Sequence, residues 1–376
     1  MANPQRFVIK FLILAAMLLG LPLIGTLVAG FPTERYLEFP PQTRYVQHAS
    51  FSGPAFFVMA LVIVAGVLPP VIKGIQSYRQ SPLPTEASQL HPFAWWGWIG
   101  IVTGMTAWFL AWTRFAWFAE FQPHTFSPLW FSYILVVNAL CLRRTGGCLM
   151  TNRPGFFLLL FPVSAAFWWF FEYLNRFVQN WYYVGAAFSP WAYFWYATLP
   201  FSTVLPAVLS TRQYLLGAGW IRRGCARTRP IELSHPLPLA AGCLVLASAG
   251  LTFIGVRPNY LFPFLWISPL LIIISLQTLL KERHQFSKMA AGDWRGALAA
   301  ALAALICGGF WEMWNYFSLA KWEYSIPLVQ RLHIFEMPLL GYAGYLPFGL
   351  ECAVIGDMLG TLFKKGSPLG GSRVQG

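Results

Sequence analysis

Ten separate apolar runs dominate the chain, and each is long enough to cross the ~30 Å hydrocarbon core of a bilayer as a helix. They lie at about 9–30, 53–72, 94–118, 127–142, 155–174, 190–211, 238–256, 261–280, 296–318 and 337–363. The composition agrees, because 57% of the residues are hydrophobic and 10% are charged, where a soluble domain has roughly a quarter charged residues. The sequence predicts an all-α, polytopic integral membrane bundle of about ten transmembrane helices in five hairpins.

The basic residues are distributed unevenly between the two sides of this predicted bundle. With ten crossings, 19 of the 26 lysines and arginines fall on the side that holds both chain ends. Cytoplasmic connections carry the excess of basic residues, so we predict cytoplasmic N- and C-termini in a cell membrane, with a bacterial inner membrane as the expected location. The net charge of +13 then indicates contact with anionic membrane lipids, and no nucleic-acid partner is expected.

The first apolar run has some features of a secretory signal. Arg6 and Lys10 precede it, and the small residues near Ala29 and Gly30 resemble a cleavage site. However, the run is longer than a typical signal core, and its removal would leave nine crossings. We therefore predict an uncleaved first helix.

The cysteines and the known short motifs indicate no metal site. The six cysteines form no Cys-x-x-Cys pair, and none falls in a predicted outer loop, where a disulfide would form. Nucleotide-binding, serine hydrolase and zinc protease motifs are absent from the sequence. The sequence thus leaves the identity of any cofactor and the oligomeric state unknown.

A motif occurs twice near the ends of two predicted helices. Glu172-x-x-Asn175-x-Phe177, followed by Trp181-x-Tyr183, matches Glu312-x-x-Asn315-x-Phe317, followed by Trp322-x-Tyr324. The two glutamates are 140 positions apart, with an even number of crossings between them, so both copies have the same orientation. We interpret this as a parallel internal repeat of helices three to six and seven to ten, although chance in an aromatic-rich chain is the alternative. The predicted divisions are an N-terminal hairpin with its loop (1–93), a first repeat (94–236) and a second repeat with its tail (237–376).

The repeated motif is the leading candidate for a binding site. Residues three apart share a helix face, so Glu172 and Asn175 are predicted to face Glu312 and Asn315 across one cavity. Trp181 and Trp322 would lie over this cavity as a lid. Such carboxylates could bind a cation, relay a proton or act as general acid and base. The alternative is that each glutamate caps a neighbouring loop or pairs with a nearby arginine, for which Arg114, Arg176 and Arg331 are the candidates.

The last apolar run carries further polar residues, which are costly at bilayer depth and so indicate a site or a pairing. Glu336 precedes the run, and Glu351 lies midway along it, with Asp357 beyond. Gly341, Gly344 and Pro347, all within 339–349, predict a broken or kinked helix just before Glu351.

Three classes of function fit these patterns. The preferred hypothesis is binding or transport of a lipophilic or amphiphilic small molecule in an outward-facing, aromatic and carboxylate-lined site. The alternatives are an intramembrane enzyme that modifies a lipid or isoprenoid, and a non-catalytic membrane scaffold subunit. The candidate ligand-binding residues are Glu172, Asn175, Trp181, Glu312, Asn315, Trp322, Glu336 and Glu351.

Overall fold

The computed structural model describes residues 4–80, 90–226, 228 and 230–362. Within these residues the fold is all-α, as predicted, with four short strands. The principal helices are α1 (Pro4–Val28), α2 (Gly53–Gln80), α3 (Trp95–Trp112), α4 (Phe126–Thr145), α5 (Pro154–Val178), α6 (Pro190–Phe201), α7 (Val204–Leu216), α8 (Pro236–Thr252), α9 (Phe264–Leu279), α10 (Arg295–Tyr316) and α11 (Tyr345–Leu362). Short helical turns cover Glu34–Leu37, Ala116–Phe118, Gln122–His124, Leu149–Asn152, Gly219–Gly224, Pro258–Leu261, Gln285–Ala291 and Leu339–Gly344.

The helices have the length and composition of a multi-pass membrane protein. Seven helical segments of the described residues are long and apolar enough to cross a bilayer, and α8 and α9 are shorter apolar helices. Every predicted crossing coincides with a helix or a pair of consecutive helices. The third, α3, has 18 residues, five of them tryptophan, and is not among these seven segments.

The sixth predicted crossing is divided into α6 and α7 at Ser202 and Thr203. Pro200 and Pro206 flank the break, and a proline cannot supply the N–H that a continuous helix needs. The hydroxyl of Ser164 donates to the carbonyl of Phe201 at 2.6 Å and accepts from the amide of Leu205 at 3.0 Å. A side chain of α5 thus satisfies backbone groups that the break leaves unpaired.

The last predicted crossing is also broken, as the glycines and proline indicated. Leu339–Gly344 forms a 3-10 helix, and α11 begins at Tyr345. α11 then packs closely on α10. A Cβ at Gly349 would lie 2.1 Å from the carbonyl oxygen of Ala300, so only glycine permits this approach.

A two-stranded antiparallel sheet joins the two copies of the repeated motif. β1 (Trp181–Val184) follows α5, and β2 (Lys321–Tyr324) follows α10. Trp181 is opposite Tyr324 in the register, and Tyr183 is opposite Trp322. The tryptophan of each copy therefore faces the tyrosine of the other. A smaller pair, β3 (His333–Ile334) and β4 (Met337–Pro338), follows along the chain.

Several pairs of helices begin at a nearly constant interval along the chain. α3 and α8 begin 141 positions apart, and so do α5 and α10, and α7 and α11. The packing recurs as well: α3 contacts α4 as α8 contacts α9, and α4 contacts α7 as α9 contacts α11. The end of the bundle that carries β1 and β2 is called the sheet end below.

α2 stands apart from the rest of the bundle. None of the residues in its most apolar stretch is buried inside the structure. At one end the amide of Ser52, just before α2, donates to the carbonyl of Leu328 at 3.0 Å. At the other end Tyr78 accepts a hydrogen bond from Arg223 at 2.9 Å. The middle of α2 is consequently free to border a cavity.

Candidate functional site

Glu172 is held near the end of α5 by three neutral donors. Its Oε1 accepts from Trp168 Nε1 at 3.1 Å, Trp181 Nε1 at 3.0 Å and Tyr183 OH at 2.6 Å. The residue is 6% exposed. Burying a carboxylate is costly unless hydrogen bonds replace those of water, and these donors offset that cost. Since all of them use Oε1, Oε2 remains for other contacts.

Glu312, the second copy, is more deeply enclosed. Its Oε1 accepts from Tyr324 OH at 2.7 Å and from Tyr345 OH at 2.6 Å. The residue is fully buried, and its Oε2 has no hydrogen-bond partner. In each copy the strand tyrosine donates to the helix glutamate, so this part of the motif is repeated in three dimensions.

The two copies differ in their remaining donors, since Glu172 accepts from two indoles and Glu312 accepts from a second tyrosine. Gly308 stands 140 positions after Trp168, the same interval that separates the glutamates. A Cβ at Gly308 would lie 2.4 Å from two ring carbons of Tyr345. Tyr345 therefore fills the space that a side chain at Gly308 would need, and its hydroxyl replaces the indole of Trp168 as a donor.

The two asparagines hold the strands through backbone groups. Asn175 Nδ2 donates to the carbonyl of Trp181 at 2.8 Å, and its Oδ1 accepts from the amide of Asn180 at 2.8 Å. Asn315 Nδ2 donates to the carbonyl of Trp322 at 2.7 Å, and its Oδ1 accepts from the amide of Trp322 at 2.9 Å. The amides thus have a structural role, and ligand binding by them stays a prediction.

The arginines considered as partners of the glutamates make other contacts. Arg176 pairs with Glu38 at 3.0 Å. Arg114 donates to the carbonyl of Phe317 at 2.6 Å. Arg331 lies over the ring of Phe51, 5.4 Å from its centre. The glutamates of the motif are accordingly stabilised by neutral hydrogen-bond donors.

The other acidic candidates lie in different surroundings. Glu336 accepts from Lys321 Nζ at 2.5 Å. Glu351 Oε1 accepts from the backbone amide of Leu270 at 2.9 Å. Pro269 disturbs the regular hydrogen bonding of α9 just before that amide, so Glu351 supports a proline-containing turn. Asp357 lies 3.9 Å from Arg212.

A cavity of about 1340 Å³ opens at the sheet end. Its walls come from the segment 40–48, the middle of α2, α5, α6, both strands of the sheet and the region 337–350. Of the eight predicted residues, Glu172, Asn175, Trp181 and Trp322 are among the lining residues, whereas Glu312, Asn315, Glu336 and Glu351 are not. The structure thus brings the first copy of the motif to the cavity and encloses the carboxylate of the second.

The tryptophans of the motif belong to this wall. Trp181 is 6% exposed and donates to Glu172. Trp322 Nε1 donates to Tyr324 OH at 2.8 Å, which in turn donates to Glu312. Both indoles are therefore fixed by hydrogen bonds as well as by the strand register.

Several cavity residues were not among the sequence candidates. Trp168 lies one helical turn before Glu172, so the spacing of four could have indicated it. Tyr345 lies at the predicted break. Arg44 and His48 come from a loop far away in sequence, and no local pattern indicates their position.

His48 connects this loop to both copies of the motif. Its Nε2 lies 2.7 Å from the carbonyl oxygen of Val178, and its Nδ1 lies 2.6 Å from Ser325 Oγ. Burial lowers the pKa of His48, and the bond to Val178 opposes this only in part. The neutral ring donates through Nε2 to the carbonyl and accepts from Ser325 through Nδ1.

No group of three or more histidine, cysteine or acidic side chains that could hold a metal ion occurs in the described part of the chain. Comparison with protein-family models, with curated proteins and with solved structures finds no match. The geometry of the cavity is therefore the basis for inferring the function of the protein.

Proposed function

We propose that this membrane protein binds an amphiphilic small molecule in the cavity at the sheet end, as a receptor or as the binding step of transport. The observation that carries the proposal is the combination of apolar and aromatic walls with one buried carboxylate, Glu172, in a cavity of about 1340 Å³. Apolar pockets with a few fixed polar groups are typical of small-molecule sites. The three donors on Oε1 orient Glu172, and Oε2 would accept a hydroxyl or an amine of the ligand.

The position of Glu312 bears on the enzymatic alternative. A mechanism with two carboxylates as acid and base needs both within reach of the substrate. Glu312 is fully buried and is not among the residues that line the cavity. The arrangement therefore supports binding at Glu172 better than catalysis by the pair.

We further propose that the bundle arose by a parallel duplication and crosses the membrane ten times, with the sheet end outward and both termini in the cytoplasm. The interval of 141 positions between α3 and α8, α5 and α10, and α7 and α11 supports the duplication. The crossed pairing of tryptophan and tyrosine in the sheet supports the duplication independently.

The proposed topology is tested with reporters fused at Gln42 and Gly376. They should lie on opposite sides of the membrane, and a common side would exclude ten crossings.

The binding proposal is tested by comparing Glu172→Gln with Glu312→Gln. Both changes keep the shape of a motif glutamate, but only Glu172 lines the cavity. Protein purified in lipid nanodiscs is extracted with organic solvent, and the retained amphiphile is quantified by mass spectrometry. We expect Glu172→Gln to reduce retention about tenfold, because a hydrogen bond to a charged group contributes about 1.5–3 kcal/mol.

Glu312→Gln is expected to retain the amphiphile at the wild-type level, provided that its thermal unfolding shows an intact fold. Equal retention of the amphiphile by Glu172→Gln and wild type would show that the Glu172 carboxylate does not bind it. The absence of any retained amphiphile in the wild type, with added candidate lipids also failing to bind, would overturn the proposed function.

A further inference from the structure

The charged residues in the cavity wall are mostly cationic. Arg44, Arg176 and Lys321 line the cavity, together with the single carboxylate of Glu172. Two of these cations already have acidic partners: Arg176 pairs with Glu38 at 3.0 Å, and Lys321 pairs with Glu336 at 2.5 Å. Within the described residues, Arg44 makes no ion pair. Arg44 is therefore the cation available to a ligand.

The backbone around Arg44 is fixed by Gln179. Gln179 Nε2 donates to the carbonyl of Thr43 at 2.8 Å, and its Oε1 accepts from the amide of Tyr45 at 2.9 Å. These two hydrogen bonds fix the backbone of the residues immediately before and after Arg44. The position of this side chain at the cavity is thus set by the end of α5.

The guanidinium of Arg44 is held by a ring and not by an acid. Its Cζ lies 3.3 Å from the centre of the Tyr182 ring, and Tyr182 is itself fixed by donating to Glu323 at 3.0 Å. A cation–π contact uses the face of the guanidinium. The planar N–H edge of a guanidinium can donate two parallel hydrogen bonds, which is the geometry that binds phosphate and carboxylate groups.

One face of α2 supplies an apolar wall of the same cavity. The face is formed by residues at helical spacing, namely Val58, Met59, Val62, Ile63, Gly66 and Val67. At 1.5 Å per residue this face is about 13 Å long. That length is close to half of the ~30 Å hydrocarbon core, which suits an extended chain that enters from the sheet end.

We infer that the ligand is an anionic amphiphile, with a phosphate or carboxylate headgroup on Arg44 and an apolar chain along the cavity face of α2. This inference rests on the proposed function and specifies its ligand class. The headgroup lies at the sheet end, where the polar residues of the segment 40–48 and of the strands line the cavity. The chain lies between α2 and the aromatic wall of α5 and α6.

The test compares Arg44→Ala with Arg331→Ala. Arg331 is a matched control, because it also lies over an aromatic ring, makes no ion pair within the described residues and is not among the cavity-lining residues. Dodecyl phosphate, dodecanol and inorganic phosphate are titrated separately into nanodisc-embedded protein, and binding is measured by native mass spectrometry. We expect Arg44→Ala to raise the Kd for dodecyl phosphate about tenfold and Arg331→Ala to leave it unchanged. Dodecanol should bind wild type and Arg44→Ala equally, and inorganic phosphate should not bind.

Each other outcome has a distinct meaning. Unchanged dodecyl phosphate binding in Arg44→Ala, with dodecanol still bound, would show that Arg44 does not bind an anionic headgroup. The proposal of an amphiphile-binding cavity would be unaffected. Arg44-dependent binding of inorganic phosphate alone would overturn the lipid assignment in favour of an aqueous anion. Failure of both dodecyl compounds to bind wild type would overturn the proposed function and this inference with it.

Discussion

Gly308 and Tyr345 are complementary in shape: a Cβ at Gly308 would lie 2.4 Å from the Tyr345 ring, whose hydroxyl donates to Glu312 at 2.6 Å. In the other copy of the motif, Trp168 lies at the position of Gly308 and donates to Glu172 itself. The space left by glycine on one helix is thus filled by a tyrosine from another. Each glutamate keeps a neutral donor at this place, and the two copies differ in their access to the cavity.

Gly308→Ala should destabilise the protein. The added methyl group overlaps the ring of Tyr345, and overpacking in a filled core costs about 1–3 kcal/mol. Gly309→Ala is the matched control, because a Cβ there meets no atom within 4 Å. Thermal unfolding in nanodiscs should show a lower Tm for Gly308→Ala and no loss for Gly309→Ala. Equal Tm values for both variants would show that the Tyr345 ring shifts to accommodate the methyl group without a loss of stability.

Asn175→Ala and Asn315→Ala should each loosen the sheet. Each change removes a donor to a strand carbonyl and an acceptor for a backbone amide, and an unpaired buried group costs about 1–3 kcal/mol. Hydrogen exchange should become faster in both strands for either variant, because β1 and β2 share their ladder. Asn180→Ala serves as the control, since Asn180 Oδ1 has no partner. Unchanged exchange in the strands would contradict this role.

His48 predicts a loss of stability on acidification. Its folded pKa lies below the ordinary value of about 6.5, so the unfolded chain binds the proton more readily and stability falls as the pH drops below that value. The Tm difference between wild type and His48→Gln should therefore shrink from pH 7.5 to pH 5.5. His124 and His284 are present in both proteins and cancel in this comparison. A constant difference would show that folding does not shift the pKa of His48.

The helical plan was predictable from sequence because it depends on local composition. Runs of apolar residues set the positions of α1 to α11, and the glycines and proline near Tyr345 indicated the break before α11. The sixth run was predicted as one crossing although it contains Pro200 and Pro206, and no local pattern indicates that Ser164 on another helix supplies the compensating hydrogen bonds.

The site was predictable only in part. Repetition indicated Glu172 and Glu312 as a pair, but repetition alone cannot show that Tyr345 encloses one of them. The arginine partners considered for the glutamates were plausible in sequence, yet Arg176 lies closer to Glu38, a residue far away in the chain. Contacts between distant segments decided which carboxylate lines the cavity.

The most direct test of the account is photolabelling in native membranes with a fatty acid that carries a diazirine on its chain. Trp168 and Trp311 line the cavity, whereas Leu158, on the same helix as Trp168, is 66% exposed on the outer surface of the bundle. We predict adducts at Trp168 and Trp311 in the wild type. These adducts should disappear in Val62→Trp, because the larger side chain fills the cavity. They should persist in Leu61→Trp, because Leu61 is not among the cavity-lining residues. Adducts confined to surface residues such as Leu158, and unchanged by Val62→Trp, would contradict a lipid-binding cavity.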